Sequence, residues 1–407
     1  MSLTKTIAIL FIPALLFSCQ KKADPAELIA ALEQAVQKNY YFYEEGPAFS
    51  EAAYEAAAKA IDPQSAWNPG GNAAAALASR INEMPGGQRG DSIRKAFNAL
   101  LGGEGNDRRN YYIGLETARR LKDPALNAGA GLVLFRESYG RFRIVDVLEG
   151  SAAHLAGIPQ KGMLEKIDNR PVIDLELEDV VALIRGTSGT SLSLTVDGKQ
   201  YTLVRGQYSV QLLRKSEWNV DGKRVLYVEL RSAGKGAARE LESVLMKSNN
   251  PDAMVLDLRK LNSGDFEEAF AIADFFVGSG EMGLIKRKGI AARPMQADAD
   301  VLYSGKTYVL VSNRTSPHVK TLAMALRLSD KVKFIGPDTS LVTYAGIEVP
   351  LEDDGYAMII NAVIEPAEGK DSRLNPDIEI EDFIPVNPPS TKPDEQDPAQ
   401  AALLKAL

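Results

Sequence analysis

Ser316 and Lys320 are the residues whose types and spacing could support nucleophilic catalysis. A serine hydroxyl becomes a nucleophile when a neutral amine accepts its proton, and burial lowers the pKa of a lysine enough for that role. The same residues also fit the start of a helix, with Ser316 as the N-cap and Pro317 at the first helical position. We expect this second arrangement, which leaves Lys320 solvated and His318 as a surface or capping residue.

A second stretch that could form a binding site is Gly129-Ala130-Gly131-Leu132, at the start of a β-rich segment. Glycines allow successive backbone amides to converge on an anion, and the exposed strand edge that follows can accept a peptide as an extra strand. The predicted groove is lined by Gly129, Ala130, Gly131, Leu132 and Leu134 from the strand side, and by Val180, Leu183 and Ile184 from a helix over 177–185.

The order of motifs after this loop resembles a PDZ domain over nearly its whole length. The matching stretches are Glu149–Ala153, Ile167–Val172 and Leu183–Thr187, whereas Met163 departs from the aspartate usual after glycine in such domains. The resemblance implies a module that binds protein C-termini or extended segments.

Periodicity divides the rest of the chain into regions. Leu28, Leu32 and Val36 lie at helical spacing and predict a helix over 25–38, and a second helix is predicted over 51–61. Strand and helix patterns alternate from 224 to 384, as in α/β or α+β domains. The predicted multidomain α+β and α/β organisation is a signal segment (1–19), a helical domain (20–126), a PDZ domain (127–206), an α/β core (207–385) and a proline-rich linker or wrap-around tail with a short helix (386–407).

The α/β core resembles the C-terminal processing, or tail-specific, serine peptidases. Val309–Val311, Ala325-Leu326, Gly336, Thr339 and Pro350-Leu351 all fall in register with the catalytic segment of that family. Leu256–Arg259 resembles the strand before its oxyanion loop. The resemblance implies a serine nucleophile, a lysine base and a supporting glutamine at fixed positions in this segment.

In that register the three catalytic positions carry Pro317, Val342 and Gly346. None of these side chains can take up or release a proton. Asn262-Ser263-Gly264 also stands where the family has an Asn-Pro-Gly-Gly oxyanion loop, and a tetrahedral intermediate needs backbone amides aimed at its oxyanion. Lys331 and Lys333 precede a strand, away from the base position. We therefore predict no catalytic residues and a degenerate peptidase site.

Composition excludes several other functions. The formal net charge of −7 argues against a nucleic-acid-binding protein. Two histidines and one cysteine exclude a Cys/His zinc cluster, so neither a metal nor another cofactor is expected. A single cysteine also allows no internal disulfide.

Residues 1–19 predict a targeting segment. Lys5 precedes an apolar run that ends in Leu16-Phe17-Ser18-Cys19, which resembles a bacterial lipoprotein signal with Cys19 as the lipidated residue. Gln20 does not resemble an inner-membrane retention signal, so an outer-membrane anchor facing the periplasm is expected. The alternative is a plain secretory signal with an incidental cysteine.

The sequence thus predicts a lipid-anchored envelope protein that binds protein C-termini or unfolded polypeptide and docks on an active peptidase or envelope complex. Two alternatives stay open: a serine endopeptidase that uses Ser316 as a relocated nucleophile, and a structural scaffold whose groove is blocked.

Overall fold

The structure is a computed structural model that describes residues 23–64, 66–102, 109–137, 140–173, 175–208, 211–298, 300–312, 316–385 and 390–407. Cys19 and the predicted signal segment lie outside the described residues. No helix within the described ranges has the length and apolar character needed to cross a membrane.

The N-terminal region is helical, as predicted. It contains α1 (Pro25–Asn39), α2 (Glu51–Ile61), α3 (Ala73–Glu83) and α4 (Arg89–Gly102), followed by β1 (Tyr111–Ile113) and α5 (Leu115–Lys122). Asp24 caps α1 by accepting a hydrogen bond from the Ala26 amide, and Pro25 occupies the first turn, where its missing N–H costs nothing. The helices bury a common core that includes Phe97, Leu351 and Ile359, which packs the region against the peptidase-like core.

The middle region is a sheet with two helices. Its elements are β2 (Leu132–Arg136), β3 (Phe142–Val147), α6 (Ala152–Leu155), β4 (Met163–Ile167), β5 (Arg170–Pro171), α7 (Leu177–Ile184), β6 (Ser191–Val196) and β7 (Lys199–Val204). The strand order is β2-β3-β4-β6-β7, with β5 beside β4, so β2 forms one edge of the sheet. Asp197 and Gly198 both adopt positive φ and form a hairpin between β6 and β7.

The C-terminal region contains two sheets. Its elements are β8 (Leu213–Val220), β9 (Lys223–Leu230), α8 (Ala237–Lys247), β10 (Ala253–Asp257), α9 (Phe266–Asp274), β11 (Glu281–Arg287), β12 (Ile290–Gln296), β13 (Lys306–Leu310), α10 (Pro317–Leu326), β14 (Val332–Gly336), β15 (Thr343–Pro350), β16 (Tyr356–Glu365), β17 (Ile378–Glu379) and α11 (Pro398–Ala406). The first sheet has the order β17-β14-β13-β10-β9-β8 and is parallel except at β8. The second has the order β1-β16-β11-β12, with β15 paired to β16.

The proline-rich tail wraps around the core over its described part. Trp218 Nε1 donates a 2.8 Å hydrogen bond to the carbonyl of Ser390, and α11 packs its apolar side beneath the parallel sheet. Arg259 is fully buried and forms ion pairs with Asp257 (2.6 Å) and with Asp397 (2.8 Å) at the start of α11. The wrap-around alternative is thus confirmed for 390–407.

Polar contacts join the middle region to its neighbours. Arg231, which follows β9, donates a hydrogen bond to Asp146 in β3, and both side chains are buried. Thr117 in α5 donates a 2.6 Å hydrogen bond to Asp179 in α7. The middle region is therefore bonded both to the C-terminal region, through Arg231, and to α5, through Thr117.

Candidate functional site

The candidate site lies where the parallel strands end. The carboxyl ends of such strands meet at one edge of a sheet, and ligand sites of open α/β sheets form there. Here that edge carries the loop 231–234 after β9, the loop 258–264 after β10, the start of α10 and the loop 337–342 after β14. All three degenerate positions belong to this edge or to β15 beside it.

The start of α10 has the predicted structure. Ser316 is the N-cap, with its hydroxyl oxygen accepting from the Val319 amide, and Pro317 occupies the first turn. The hydroxyl of Ser316 is thus engaged with its own helix. Pro317 is exposed at the position that the family resemblance assigns to the nucleophile.

Val342 and Gly346 lie beside this helix start. Val342 comes immediately before β15, and the Lys320 Nζ atom of α10 lies 3.5 Å from its carbonyl oxygen. Gly346 sits at a register shift in β15, where an added Cβ would lie 2.9 Å from Met358 Sδ. The structure therefore brings the assigned nucleophile and base positions together, and position 346 has little room for a side chain.

Lys320 corrects one prediction, because it is not a solvated residue. Its side chain is half-buried and its amine donates to the Val342 carbonyl. Burial, and secondly the positive charge of Arg109, lower the pKa of the Lys320 amine. Arg109 itself lies with its guanidinium carbon 3.4 Å from the centroid of the Tyr344 ring. Arg109 was not predicted, because it lies more than 200 residues away in sequence, within the predicted helical domain.

His318 corrects a second prediction, since it is neither a surface nor a capping residue. Its ring lies 5.0 Å from that of Phe266, tilted by 31°. Burial lowers the pKa of His318, and the nearby Asp265 charge opposes that effect only partly. Lys331 and Lys333 are exposed and remote from the base position, as predicted, with Lys333 paired to Asp377 at 3.3 Å.

The loop that would hold the oxyanion is tightly packed at Gly264. Its φ is +152°, and an added Cβ would lie 2.6 Å from the Ala233 carbonyl carbon. The neighbouring Ser263 carbonyl accepts from the Ala233 amide at 2.8 Å, and Ser263 Oγ donates to Ser232 Oγ at 3.0 Å. Asn262 and Ser263 are exposed. Among the described residues, no cluster of His, Cys, Asp or Glu side chains could hold a metal ion.

The predicted anion loop lies at the open end of β2. Gly129 exchanges two backbone hydrogen bonds with Gly206, whereas the amides of Ala130 and Gly131 donate to no other described residue. Tyr208 packs against the loop, with its Cδ2 3.4 Å from an added Cβ at Gly131, and its hydroxyl accepts from the Ala152 amide. Two amides beside a tyrosine ring thus have no acceptor among the described residues, although Ala130 itself is buried.

The predicted groove residues fall into two groups. Leu132 and Leu134 are partly buried on the core side of β2, and Ile184 Cγ2 lies 3.8 Å from an added Cβ at Gly129. Val180, within α7, is fully buried and packs that helix against the core of the middle region. Leu183 packs against the same cluster as Leu132 and Leu134 and also lines a cavity of about 680 Å³ between α7, α4 and α5.

The sequence profile described as peptidase family S41 matches residues 224–380. Over these residues the chain resembles peptidase family S41, as the sequence predicted. The chain is 25% identical over 211 residues to the carboxy-terminal processing protease CtpA of Bacillus subtilis, a match that covers 50% of this chain and 45% of that protein. It is 23% identical over 259 residues to a "Probable CtpA-like serine protease" of Staphylococcus aureus, covering 62% and 52% respectively.

The fold likeness extends over more of the chain than the sequence likeness. The photosystem II D1 C-terminal processing protease superposes with a TM-score of 0.64 at 18% identity, covering 88% of this chain and 94% of that one. The chain spans about half the length of the curated relatives that it matches. The family resemblance and the mixed multidomain α/β fold are therefore confirmed, whereas the predicted domain boundaries stay a prediction.

Proposed function

We propose that this S41 family protein binds the C-termini or extended segments of other polypeptides through a PDZ-type groove and does not hydrolyse them. We further propose that it is anchored by lipid at Cys19 to the periplasmic side of a bacterial membrane, the outer membrane by preference. There it would present polypeptide to an active peptidase or envelope complex.

The observation that carries the binding proposal is the loop at the open end of β2. The amides of Ala130 and Gly131 are adjacent in the chain and lack an acceptor within the described ranges. Convergent amides of this kind suit a terminal carboxylate. The outer edge of β2 pairs with no strand described here, so it can accept an extended peptide.

A terminal carboxylate is expected to strengthen peptide binding by about ten- to a hundredfold, because hydrogen bonds to a charged group contribute about 1.5–3 kcal/mol. The measurement is fluorescence anisotropy with an apolar-ended peptide, compared with its C-terminal amide. Leu134→Glu, on the core side of β2, should abolish the difference, whereas Phe135→Glu on the exposed face of the same strand should retain it. Equal affinities for acid and amide, with both variants folded by circular dichroism, would favour the blocked scaffold.

The absence of hydrolysis is proposed on the chemistry of three positions. Pro317 has no hydroxyl, Val342 has no amine, and Gly346 leaves no side chain to orient one. Ser316, one residue earlier, has its hydroxyl engaged as the helix cap. A serine–lysine mechanism needs a free hydroxyl and an unprotonated amine in contact.

The second candidate function is a serine endopeptidase in which Ser316 is the nucleophile and Lys320 the base. The observation that favours it is the half-buried Lys320 amine beside Val342, with a lowered pKa caused first by burial and then by Arg109. In this candidate the two reacting groups, the Ser316 hydroxyl and the Lys320 amine, both lie at the start of α10.

Purified protein is expected to cleave an unfolded substrate with a free apolar C-terminus no faster than a buffer blank. Ser316→Ala should leave that background unchanged. The readout is product formation by mass spectrometry over a range of pH, because a lysine base acts only when deprotonated. Turnover that disappears in both Ser316→Ala and Lys320→Met would establish the second candidate instead.

A further inference from the structure

A cavity of about 680 Å³ lies where the helical region, the middle region and the second sheet of the C-terminal region meet. Its walls come from the first turn of α4, from α5, from α7, from β5 and from the turn between β15 and β16. Cavities of about 300–1,000 Å³ at such junctions are typical of small-molecule sites. The described residues that line it include neither the degenerate catalytic positions nor the loop 129–132.

The walls of this cavity are held in place without a ligand. Arg94 of α4 is buried and lies 2.8 Å from Asp91 in the same helix and 4.0 Å from Asp179 in α7. Asp179 also accepts a 2.6 Å hydrogen bond from Thr117 in α5. Buried charges are tolerated when they are paired and hydrogen-bonded in this way. The buried charges therefore compensate one another, and the more exposed charges of the lining decide which ligand fits.

One side of the lining is basic. Arg120 in α5 is half-buried, and its guanidinium donates hydrogen bonds to the carbonyls of Ala182 and Arg185 at the end of α7. Arg170 in β5 is exposed. Within the described ranges, neither Arg120 nor Arg170 has a carboxylate at ion-pair distance, and Arg170 has no hydrogen-bond partner. These two arginines form the basic side of the cavity, which suits a carboxylate because a guanidinium can donate two parallel hydrogen bonds to it.

A second side of the lining is acidic. Glu116 lies in the first turn of α5, and Glu352 lies in the turn between β15 and β16. Both are exposed, and neither pairs with a cation in the part of the chain that the structure describes. Glu116 precedes Arg120 by four residues, so the acidic and basic sides are about 6 Å apart along the axis of α5. Glu116 and Glu352 form the acidic side of the cavity, which suits an ammonium group.

An apolar surface completes the lining. Leu115 and Leu183 are half-buried and Ile93 is buried, and all three line the cavity. Apolar side chains together with a few charged groups are the usual lining of small-molecule sites. A ligand that fits this cavity therefore carries an ammonium group, a carboxylate and apolar groups between them.

We propose that this cavity binds a short free peptide, with its ammonium on the acidic side, its carboxylate on the basic side and an apolar side chain against Leu115 and Leu183. An extended residue spans about 3.3–3.6 Å, so a peptide of about two to four residues reaches from one charged side to the other once the length of the side chains is added. The end of a long polypeptide cannot satisfy both sides, because its two termini are far apart. The site thus differs from the PDZ-type groove, which would hold only a carboxyl end.

Isothermal titration calorimetry of the protein with the tripeptide Ala-Leu-Ala tests this proposal. The peptide with both termini free should bind at least about tenfold more tightly than its N-acetylated form and than its C-terminal amide, because hydrogen bonds between charged groups are the stronger kind. Acetylation is the decisive comparison. A PDZ-type groove binds the carboxyl end and is indifferent to the amino group, so a loss on acetylation reports on the cavity alone.

Replacing Glu116 and Glu352 together with glutamine removes the charge of the acidic side and keeps its shape. The Glu116→Gln/Glu352→Gln protein should bind the free and the acetylated peptides equally. The matched control is Glu51→Gln/Glu395→Gln, since Glu51 also lies in the first turn of a helix and both residues are exposed and do not line the cavity. This control should keep the full preference for the free peptide.

Arg170→Met should weaken binding of the free peptide by at least about fivefold and leave binding of the amide unchanged. Arg239→Met, which removes an exposed cation in α8, is its control and should change neither. Thermal unfolding of each variant separates lost binding from lost folding. Equal affinities of the three peptides for the wild-type protein, or a folded Glu116→Gln/Glu352→Gln protein that still discriminates against the acetylated form, would overturn the proposal.

Discussion

Replacing Arg259 with methionine is expected to lower the free energy of unfolding by about 3–5 kcal/mol, the usual effect of breaking a buried ion pair by removing one partner. Arg259 is fully buried between Asp257 and Asp397, and its guanidinium bonds to both carboxylates. The variant leaves two buried carboxylates to share the hydroxyl of Tyr227 and nearby amides. The measurement is chemical denaturation monitored by Trp218, which contacts the tail.

The effect should depend on pH. Burial raises the pKa of Asp257, but the charge and hydrogen bonds of Arg259 outweigh burial and lower it below its usual value. A lowered pKa in the folded state adds stability that is present above the unfolded pKa and is lost as pH falls through the folded one. The difference between wild type and Arg259→Met should therefore be full at neutral pH and shrink below about pH 4.

Arg293→Met is the matched control for this prediction. Arg293 is about half exposed and lies 3.9 Å from an exposed Glu267, and surface pairs of this kind contribute about 0–1 kcal/mol. A loss of less than 1 kcal/mol in Arg259→Met, equal to that of the control, would show that the buried network does not hold α11 to the sheet.

Replacing Arg231 with methionine is expected to separate the unfolding of the middle region from that of the core. Arg231 and Asp146 are both buried, and their contact crosses from β9 to β3. Without Arg231, Asp146 keeps only Gln160 and the Val147 amide, and Glu229 keeps Lys260 at 3.6 Å as its nearest cation. A loss of about 3–5 kcal/mol is expected, concentrated at the contact between the two regions.

Differential scanning calorimetry tests this expectation, because a weakened contact should split one thermal transition into two. Arg214→Met is the control from the same interface. Arg214 pairs with the exposed Glu149 at 3.5 Å, so its loss should leave the transition single and nearly unshifted. Identical thermograms for the two variants would contradict the special role of Arg231.

Local patterns in the sequence predicted local structure well. Helix α2 over 51–61 has the predicted bounds, and α1 over 25–39 ends one residue later than predicted, because the periodicity is encoded within the segment itself. The helix cap formed by Ser316 and Pro317 was predicted for the same reason. The resemblance to a known family supplied the order of the regions, which periodicity alone does not contain.

Features that depend on distant partners could not be predicted. The pairing of β1 with β16 joins Tyr111 to Met358, and no local signal encodes such a choice. Lys320 and His318 were expected in solvent because a helix start is usually exposed. Instead, the charge of Arg109 helps to lower the pKa of Lys320, and His318 packs against Phe266, and both of these partners are distant in sequence.

The register shift at Gly346 also bears on any attempt to convert this chain into a working hydrolase. Pro317→Ser and Val342→Lys would supply the two reacting groups, but Gly346→Gln would drive its Cβ to 2.9 Å from Met358 Sδ and 3.3 Å from the Ile359 carbonyl. Met358 is flexible enough to yield, whereas the backbone oxygen is not. A productive redesign would therefore begin by shortening Met358 and removing the extra residue, Asn361, from β16, and only then install the polar side chains.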